Sequence, residues 1–263
     1  MKEKKRFFLF AGDQKIEHLN KDFYGKNIPE ECADPEHMFK IASKAKISAF
    51  ATQLGLIRHY GASYKDVNYV VKLNSKTDIV PTEQKDPLSL ALHSVEDVLD
   101  FKKRSRLSII GIGYTIYLGS EFEAQMLTEA AQVVFNANKN GLLSILWVYP
   151  RGKAVKDDRD PDIIAGAAGV AAALGADFVK INPPSGEPAS GGPKQLKQAV
   201  MAAGKTGVLC SGGKKRDKEE FLKELEEQAA VGVAGCAVGR NIHQRSEKEA
   251  LELCDDIASV LGL

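Results

Sequence analysis

A lysine stands in the middle of an apolar segment, FVKIN, whose length and composition are typical of a β-strand. Side chains alternate between the two faces of a strand, so Lys180 lies on the face opposite Val179 and Ile181. If those aliphatic side chains pack on helices, the lysine points into the interior, where an unpaired ammonium is costly. A charged lysine would need a partner such as Asp13, whereas a neutral amine could attack a carbonyl and form a Schiff base. The neutral form requires a pKa near 7.5 rather than about 10.4, which a dry interior can provide at a cost of about 4 kcal/mol.

The preceding apolar segment, SILWVYPRG, carries two aromatic side chains and one cation near its C-terminal end. Alternation places Trp147 and Tyr149 on one face of this strand, next to the strand that carries the lysine. The Tyr149 phenol is a candidate general acid and base, although a tyrosine with a buried ring and a solvated hydroxyl gives the same pattern. We interpret Trp147 as a wall of the site with one N–H donor, and Arg151 as a cation at the mouth that could bind an anion.

Two further predicted strands end in small residues followed by cations, in the segments CSGGKK and AVGRN. Small residues allow backbone N–H groups to approach an anion closely, and each segment leads towards a predicted helix. Glycines at one strand end usually indicate only a turn. Two such segments on consecutive strands predict a phosphate site, whose candidate residues are Ser211, Gly212, Gly213, Gly239 and Arg240.

Asp13 and Gln14 follow the first predicted strand, in the segment AGDQKIEH. A carboxylate there could tune the lysine or handle a substrate hydroxyl, and capping of the following turn is the alternative. We assign Gln14 to substrate binding beside it. Of the five histidines only His18 lies near a predicted strand end, so we predict a site without a metal.

Eight short apolar segments recur along the chain, and most are followed by a helical pattern. The predicted strands are 7–10, 49–53, 69–72, 109–114, 142–149, 178–181, 207–210 and 235–238. The predicted helices are 34–44, 94–103, 121–140, 160–174, 193–203, 218–230 and 247–261, with Ser94 and Asp160 as N-caps.

Strands that alternate with helices predict an α/β fold with a parallel sheet, either open and doubly wound or closed. The strand count and the length of 263 residues favour a single (β/α)8 TIM barrel, one domain over residues 1–263. The stretch rich in glycine and proline, 182–193, follows the sixth strand directly and is therefore a loop rather than a linker. A barrel collects the C-terminal ends of its strands at one face, which brings the candidate residues together.

The charge balance argues against several classes of partner. Thirty-six Lys and Arg against 35 Asp and Glu leave no basic excess for nucleic acid or an anionic membrane. No apolar run approaches the roughly 18 residues of a membrane span. The four cysteines form no CxxC pair, which indicates buried free thiols and a cytoplasmic location.

Seven segments occur in the order found in the archaeal-type class I fructose-1,6-bisphosphate aldolases, which this chain resembles nearly end to end. They are GDQKIEH (12–18), KLNSKT (72–77), GYTIYLGS (113–120), WVYPRG (147–152), GADFVKIN (175–182), CSGG (210–213) and AVGRNIHQR (237–245). The resemblance implies a (β/α)8 barrel, a homo-oligomer that is often a decamer, and cleavage of a phosphorylated ketose into triose phosphates without metal or cofactor. By resemblance, Lys180 is the Schiff-base lysine, Tyr149 the general acid and base, and Asp13 a catalytic-site aspartate.

The chain departs from the family pattern at two places near the mouth. Gln14 and Lys15 stand where many members have His-Gly, and 182–186 replaces a shorter Tyr-Thr-Gly segment. Three alternatives stay open. They are a sister Schiff-base enzyme of the deoxyheptulosonate-synthase type, a pyridoxal phosphate enzyme using Lys180, and a non-catalytic sugar-phosphate sensor. Trp147 ahead of Tyr149 favours the aldolase. Absorbance of visible light by an aldimine would identify a pyridoxal phosphate enzyme.

Overall fold

The computed structural model describes residues 6–17, 20–80, 83–185 and 193–263. Its strands are β1 (Phe7–Ala11), β2 (Ala49–Gln53), β3 (Tyr69–Lys72), β4 (Ile109–Leu118), β5 (Leu143–Pro150), β6 (Phe178–Ile181), β7 (Gly207–Ser211) and β8 (Gly235–Val238). All pairs are parallel and follow chain order, and β1 also pairs with β8, so the sheet is closed. The predicted (β/α)8 barrel is confirmed, and the open-sheet alternative is wrong.

Helices separate the strands and surround the barrel. They are α1 (Gln14–Glu17), α2 (Asn20–Phe23), α3 (Glu36–Lys44), α4 (Leu54–Tyr60), α5 (Val95–Ser105), α6 (Glu123–Lys139), α7 (Pro161–Ala173), α8 (Pro193–Ala203), α9 (Lys218–Ala230), α10 (Arg240–His243) and α11 (Glu247–Leu261). Within the described residues, no helix is long and apolar enough to cross a membrane.

Alternation along the strands creates two apolar cores. Leu9, Val70 and Leu209 belong to the core inside the barrel. Val179 and Ile181 belong to the larger core between the barrel and the helices. Lys180 stands between these two residues on β6, and it therefore points into the barrel, as the alternation predicts.

The strands β4 and β5 are the longest, with ten and eight residues. The prediction for β4 ended at residue 114 and was too short, because Thr115 to Leu118 continue the ladder opposite Trp147 to Pro150. This extra pairing extends the two strands at the C-terminal end of the barrel. The wall of the mouth that carries Tyr149 is therefore a regular sheet.

Two helices begin two residues later than predicted, because the residues before them form turns closed by hydrogen bonds from the backbone to a side chain. Asp34 Oδ1 accepts a hydrogen bond from Glu36 N at 2.9 Å, so Asp34 precedes α3. Ser120 Oγ accepts one from Phe122 N at 3.2 Å ahead of α6. The predicted N-caps of α5 and α7 are confirmed.

Several short helices were not predicted, because four to seven residues are too few for a helical period to be visible. Two of them, α1 and α10, follow β1 and β8 directly and carry residues of the cavity described below. The four cysteines are buried free thiols, as the sequence predicts.

Candidate active site

The C-terminal ends of the strands surround a cavity with about 660 Å³ of empty space, part of which is open to solvent. All the predicted site residues line this cavity: Asp13, Gln14, Trp147, Tyr149, Arg151, Lys180, Ser211, Gly212, Gly213, Gly239 and Arg240. Four further residues complete the lining: Glu17, Thr115, Asn182 and Ala237. Residues from six strands or the segments after them therefore meet at one place.

Lys180 is almost fully buried in this cavity. The side chain is 4% exposed, and its Nζ lies 5.2 Å from the centroid of the Trp147 ring, on the neighbouring strand. Burial lowers the pKa of Lys180, because an ammonium is poorly solvated there. Asp13 and Glu17 raise this pKa, and Arg240 adds to the lowering. The net shift of the pKa is downward, towards the neutral form of the amine that can act as a nucleophile.

Asp13 is fixed through its backbone by the neighbouring strand. Gln53 Nε2 donates to Asp13 O at 2.8 Å, and Thr52 Oγ1 donates to Gly12 O at 3.1 Å. The carboxyl atom Oδ1 is buried and has no hydrogen-bond partner in the described part of the chain. A buried acceptor in this condition is costly, and a hydroxyl or ammonium of a bound molecule would satisfy it.

The wall beside Lys180 is aromatic and ends in a cation. Tyr149 lies two residues beyond Trp147 on the same face of β5, and it pairs in register with Tyr117 of β4. Arg151 Cζ lies 5.8 Å from the ring centroids of both tyrosines. Its guanidinium therefore stands at the rim above the two phenols.

The Tyr149 phenol is neutral in the resting site. Burial raises its pKa well above the ordinary value, because a phenolate is poorly solvated there. Asp13 and Glu17 raise the pKa further by charge repulsion, and Arg151 acts in the opposite direction. The group is consequently a proton donor until a positive charge forms nearby.

The loop after β7 packs against β8 and against the residues that follow β8. Gly212 N donates to Ala237 O at 3.2 Å, and Arg240 Nε donates to Gly213 O at 3.2 Å. Gly213 has a φ of +67°, a left-handed conformation that glycine adopts at little cost. Arg240 Nε also lies 3.8 Å from Asp22 Oδ2, so the guanidinium is held at the rim.

Asn241 holds these two loops together and was not predicted. It is fully buried, and its Nδ2 donates to Gly212 O at 2.7 Å and to Lys214 O at 3.0 Å. Its Oδ1 accepts from Arg216 N at 3.1 Å. The residue follows Arg240 in the segment AVGRN, and only the fold shows that its amide reaches the other loop.

The two departures from the family pattern lie at the cavity. The Gln14 amide packs against Gly239, and its Oε1 has no hydrogen-bond partner among the described residues. Asn182 accepts a hydrogen bond through Oδ1 from Ser211 Oγ at 2.7 Å. Of the departing segment 182–186, Gly186 lies outside the described residues, as does His18.

Two charged residues of the site were missed by the sequence analysis. Glu17 of α1 lines the cavity, and its Oε1 accepts from Tyr117 Oη at 3.0 Å. Lys72 at the end of β3 is 2% exposed, and its Nζ lies 5.4 Å from the Trp147 ring centroid. Alternation along β3, with Val70 inside the barrel, could have indicated that Lys72 points inward.

The arrangement is suited to carbonyl chemistry on an anionic substrate. It combines an amine of lowered pKa, a phenol that holds its proton, a carboxylate and a glycine-rich rim with two guanidinium groups. No group of three or more His, Cys, Asp or Glu side chains that could hold a metal occurs within the described ranges.

A family model described as DeoC/LacD family aldolase matches residues 7–245 of this chain. A relative from Methanocaldococcus jannaschii is named fructose-bisphosphate aldolase/6-deoxy-5-ketofructose 1-phosphate synthase. It is 56% identical over 254 residues, which cover 96% of this chain and 80% of the relative.

Two solved structures are also similar. A fructose-bisphosphate aldolase from Slackia heliotrinireducens has a TM-score of 0.93 and 51% identity, covering 97% of this chain and 81% of the other. An archaeal fructose-1,6-bisphosphate aldolase has a TM-score of 0.84 and 35% identity, covering 99% and 96%. In that structure the catalytic lysine is covalently bound to the carbinolamine intermediate of the substrate.

Proposed function

Because the chain belongs to the DeoC/LacD family of aldolases, we propose that it is a Schiff-base aldolase that cleaves fructose 1,6-bisphosphate into dihydroxyacetone phosphate and glyceraldehyde 3-phosphate. The observation that carries this proposal is Lys180, a buried amine of lowered pKa in a polar cavity that also contains Tyr149. The names of the similar aldolases support the choice of substrate.

The reaction begins when the neutral amine of Lys180 attacks the C2 carbonyl of the open-chain ketose. The resulting carbinolamine loses the former carbonyl oxygen as water and becomes an iminium. The positively charged nitrogen is the electron sink for the next step. The lowering of the Lys180 pKa matters here, because a protonated amine has no electron pair for the attack.

Carbon–carbon cleavage requires a base at the C4 hydroxyl. Tyr149, or a water that it holds, removes the hydroxyl proton, and the electron pair of the C3–C4 bond moves towards the iminium. Glyceraldehyde 3-phosphate leaves and an enamine remains. Protonation of the enamine at C3 and hydrolysis release dihydroxyacetone phosphate and restore the amine of Lys180.

The covalent step itself prepares Tyr149 for this role. In the resting site the phenol keeps its proton, because burial and two carboxylates raise its pKa. An iminium on Lys180 adds a positive charge to the same cavity and favours the phenolate. The basic form of Tyr149 therefore arises after the ketose is bound covalently.

A direct test is a cleavage assay on a panel of phosphorylated ketoses, with release of glyceraldehyde 3-phosphate as the readout. We expect fructose 1,6-bisphosphate to be cleaved, with and without EDTA, because the iminium serves as the electron sink. Cleavage of a different ketose alone would replace the substrate in this proposal. Loss of activity in EDTA that a divalent metal restores would contradict the mechanism.

The second name of the Methanocaldococcus jannaschii relative favours one further activity for this chain. Disconnecting 6-deoxy-5-ketofructose 1-phosphate between C3 and C4 leaves the dihydroxyacetone phosphate unit and methylglyoxal. The same enamine would then attack this aldehyde instead of glyceraldehyde 3-phosphate. The names of the relatives favour this second activity over that of a deoxyheptulosonate-type synthase. Formation of the product from fructose 1,6-bisphosphate and methylglyoxal tests it.

Replacement of Arg240 with alanine is expected to weaken phosphate binding. The guanidinium lies at the glycine loops, where it would contact a phosphate and not the reacting carbon, so it should hold substrate and transition state about equally and affect KM before kcat. Loss of one charge-assisted contact corresponds to about 1.5–3 kcal/mol, or about 10- to 150-fold in kcat/KM. Steady-state kinetics on fructose 1,6-bisphosphate measure this loss.

An unphosphorylated ketose provides the control for Arg240. The wild-type protein should cleave such a ketose poorly, and Arg240→Ala should barely change that rate, because no phosphate contact is lost. An equal loss on both substrates would show that Arg240 acts structurally, through its contacts with Gly213 and Asp22.

We also propose that the protein is a cytoplasmic homo-oligomer. The resemblance to archaeal aldolases supports the oligomer, with a decamer as the implied form, and the four buried free thiols support a reducing compartment. Light scattering of the purified protein tests the assembly against the 28.6 kDa mass of one chain. A monomeric mass at working concentrations would contradict it.

A further inference from the structure

The amide of Asn241 has no part in the proposed reaction, although it is fully buried next to the cavity. It bonds to Gly212, which lines the cavity, whereas Asn241 itself is not part of the lining. The side chain therefore holds the loop after β7 from behind, on the side away from a bound substrate.

The Asn241 side chain spends its hydrogen bonds on the backbone of this one loop. Nδ2 donates to Gly212 O at 2.7 Å and to Lys214 O at 3.0 Å, and Oδ1 accepts from Arg216 N at 3.1 Å. Two carbonyl acceptors and one N–H donor fix which way the amide group faces. Arg245 secures the same arrangement, because its Nε donates to Asn241 O at 2.8 Å and its Nη2 to Arg216 O at 3.1 Å.

These bonds set the direction of the peptide unit between Gly212 and Gly213. In a planar trans peptide the C=O and the N–H point to opposite sides. Because Gly212 O points at Asn241, the N–H of Gly213 points away from it, on the side of the cavity that Gly213 lines. Gly212 N already donates to Ala237 O, whereas the Gly213 N–H has no acceptor within the described ranges. It is therefore available to an anion.

A cation stands beside this N–H group. Arg240 Nε donates to Gly213 O at 3.2 Å, so the guanidinium lies at the same residue of the loop. Hydrogen bonds weaken steeply when donor and acceptor are misaligned, so an anion shared by the two groups requires a fixed loop. A loop that is fixed before the anion arrives also lowers the entropic cost of binding.

We propose that Asn241 is a positioning residue that directs the Gly213 N–H towards the phosphate group of the bound ketose. The loop follows β7, the neighbour of β6, which carries Lys180. Adjacent strands lie about 4.8 Å apart, and C1 is the carbon next to C2, so the phosphate on C1 is the one that this loop serves. The inference rests on the proposed function, because it assumes a ketose bound through C2 to Lys180.

The first experiment measures how fast cyanoborohydride traps dihydroxyacetone phosphate on the protein, as a function of its concentration. Asn241→Ala removes all three contacts with the loop, so the half-saturating concentration should rise about 10- to 100-fold. The limiting rate should stay nearly unchanged, because the variant leaves the amine of Lys180 in place. Dihydroxyacetone, which has no phosphate, should be trapped equally fast by the variant and the wild type.

Asn138→Ala is the matched control. The Asn138 amide also joins two segments of the chain, since its Nδ2 donates to Gly175 O at 3.1 Å. Gly175 precedes β6, so this contact lies at the N-terminal end of the barrel, opposite the cavity. The control variant should trap both ketones as the wild type does.

Two outcomes would overturn the inference. Equal losses with both ketones in Asn241→Ala would show that the amide supports the barrel and not the phosphate. An unchanged half-saturating concentration for dihydroxyacetone phosphate would show that the loop needs no positioning. If the wild type traps neither ketone, the proposed function fails instead, and the next measurement still decides on the inference.

That measurement requires neither turnover nor a folded variant. Hydrogen exchange of the wild type is followed at short labelling times with inorganic phosphate, and with chloride at equal ionic strength as the reference. Phosphate held by the Gly213 N–H should slow exchange in the peptides that cover residues 212–216 and leave those of α6 unchanged. Exchange in the loop that ignores phosphate would refute the assigned direction of this N–H.

Discussion

Lys180→Met is expected to abolish cleavage of fructose 1,6-bisphosphate while the barrel stays folded. The variant keeps an unbranched side chain of similar length but has no electron pair to attack C2. Loss of a covalent nucleophile lowers kcat on the order of 10⁶-fold. Burying methionine instead of an amine removes a desolvation cost, so the free energy of unfolding should stay equal or rise.

Steady-state kinetics and thermal unfolding of the same preparation check both parts of this expectation. Lys46→Met, which removes an exposed amine far from the cavity, is the control and should have wild-type kinetics. A turnover number of the wild-type order in Lys180→Met would end the Schiff-base account. Complete unfolding would show instead that the amine is needed for the barrel.

Tyr149→Phe has the second largest expected effect. The substitution keeps the ring in the wall of the cavity and deletes only the hydroxyl, so substrate binding should change little. Proton transfer at the C4 hydroxyl fails, and kcat should fall by about 10²- to 10⁴-fold, the usual contribution of a general acid or base. The iminium should then accumulate, and borohydride should trap it in higher yield than in the wild type.

Tyr69→Phe provides a matched control for the loss of a buried phenol. The Tyr69 hydroxyl donates to Tyr64 O at 2.9 Å in the outer core, away from the cavity. Its removal should lower the free energy of unfolding by about 1 kcal/mol and leave kcat unchanged. Wild-type kcat in Tyr149→Phe would remove this tyrosine from the mechanism.

The barrel could be predicted from the sequence because the predicted strands are short and apolar and most are separated from the next by a helical period. Alternation within FVKIN was enough to direct Lys180 inward, since Val179 and Ile181 could face the helices only from the opposite side of the strand. The two glycine-containing segments after β7 and β8 could be placed at one face of the barrel, because the C-terminal ends of all its strands lie at that face.

The missed residues depend on contacts between segments that are distant in the chain. Lys72 meets Trp147 only because β4, with Gly113 between them, lies beside both β3 and β5. Asn241 reaches the loop after β7 through its side-chain amide. Glu17 lies on a four-residue helix that has no visible period. Register and loop docking decide these contacts, whereas alternation within β3 indicates only that Lys72 points inward.

The central claim, a Schiff base on Lys180, is tested most directly by borohydride reduction in the presence of fructose 1,6-bisphosphate, followed by peptide mass mapping. Reduction turns the iminium into a stable secondary amine and marks the lysine that formed it. The account predicts a single modified peptide that contains Lys180, and no adduct in Lys180→Met. A label on Lys72 or another lysine, or an active enzyme that yields no adduct, would contradict it.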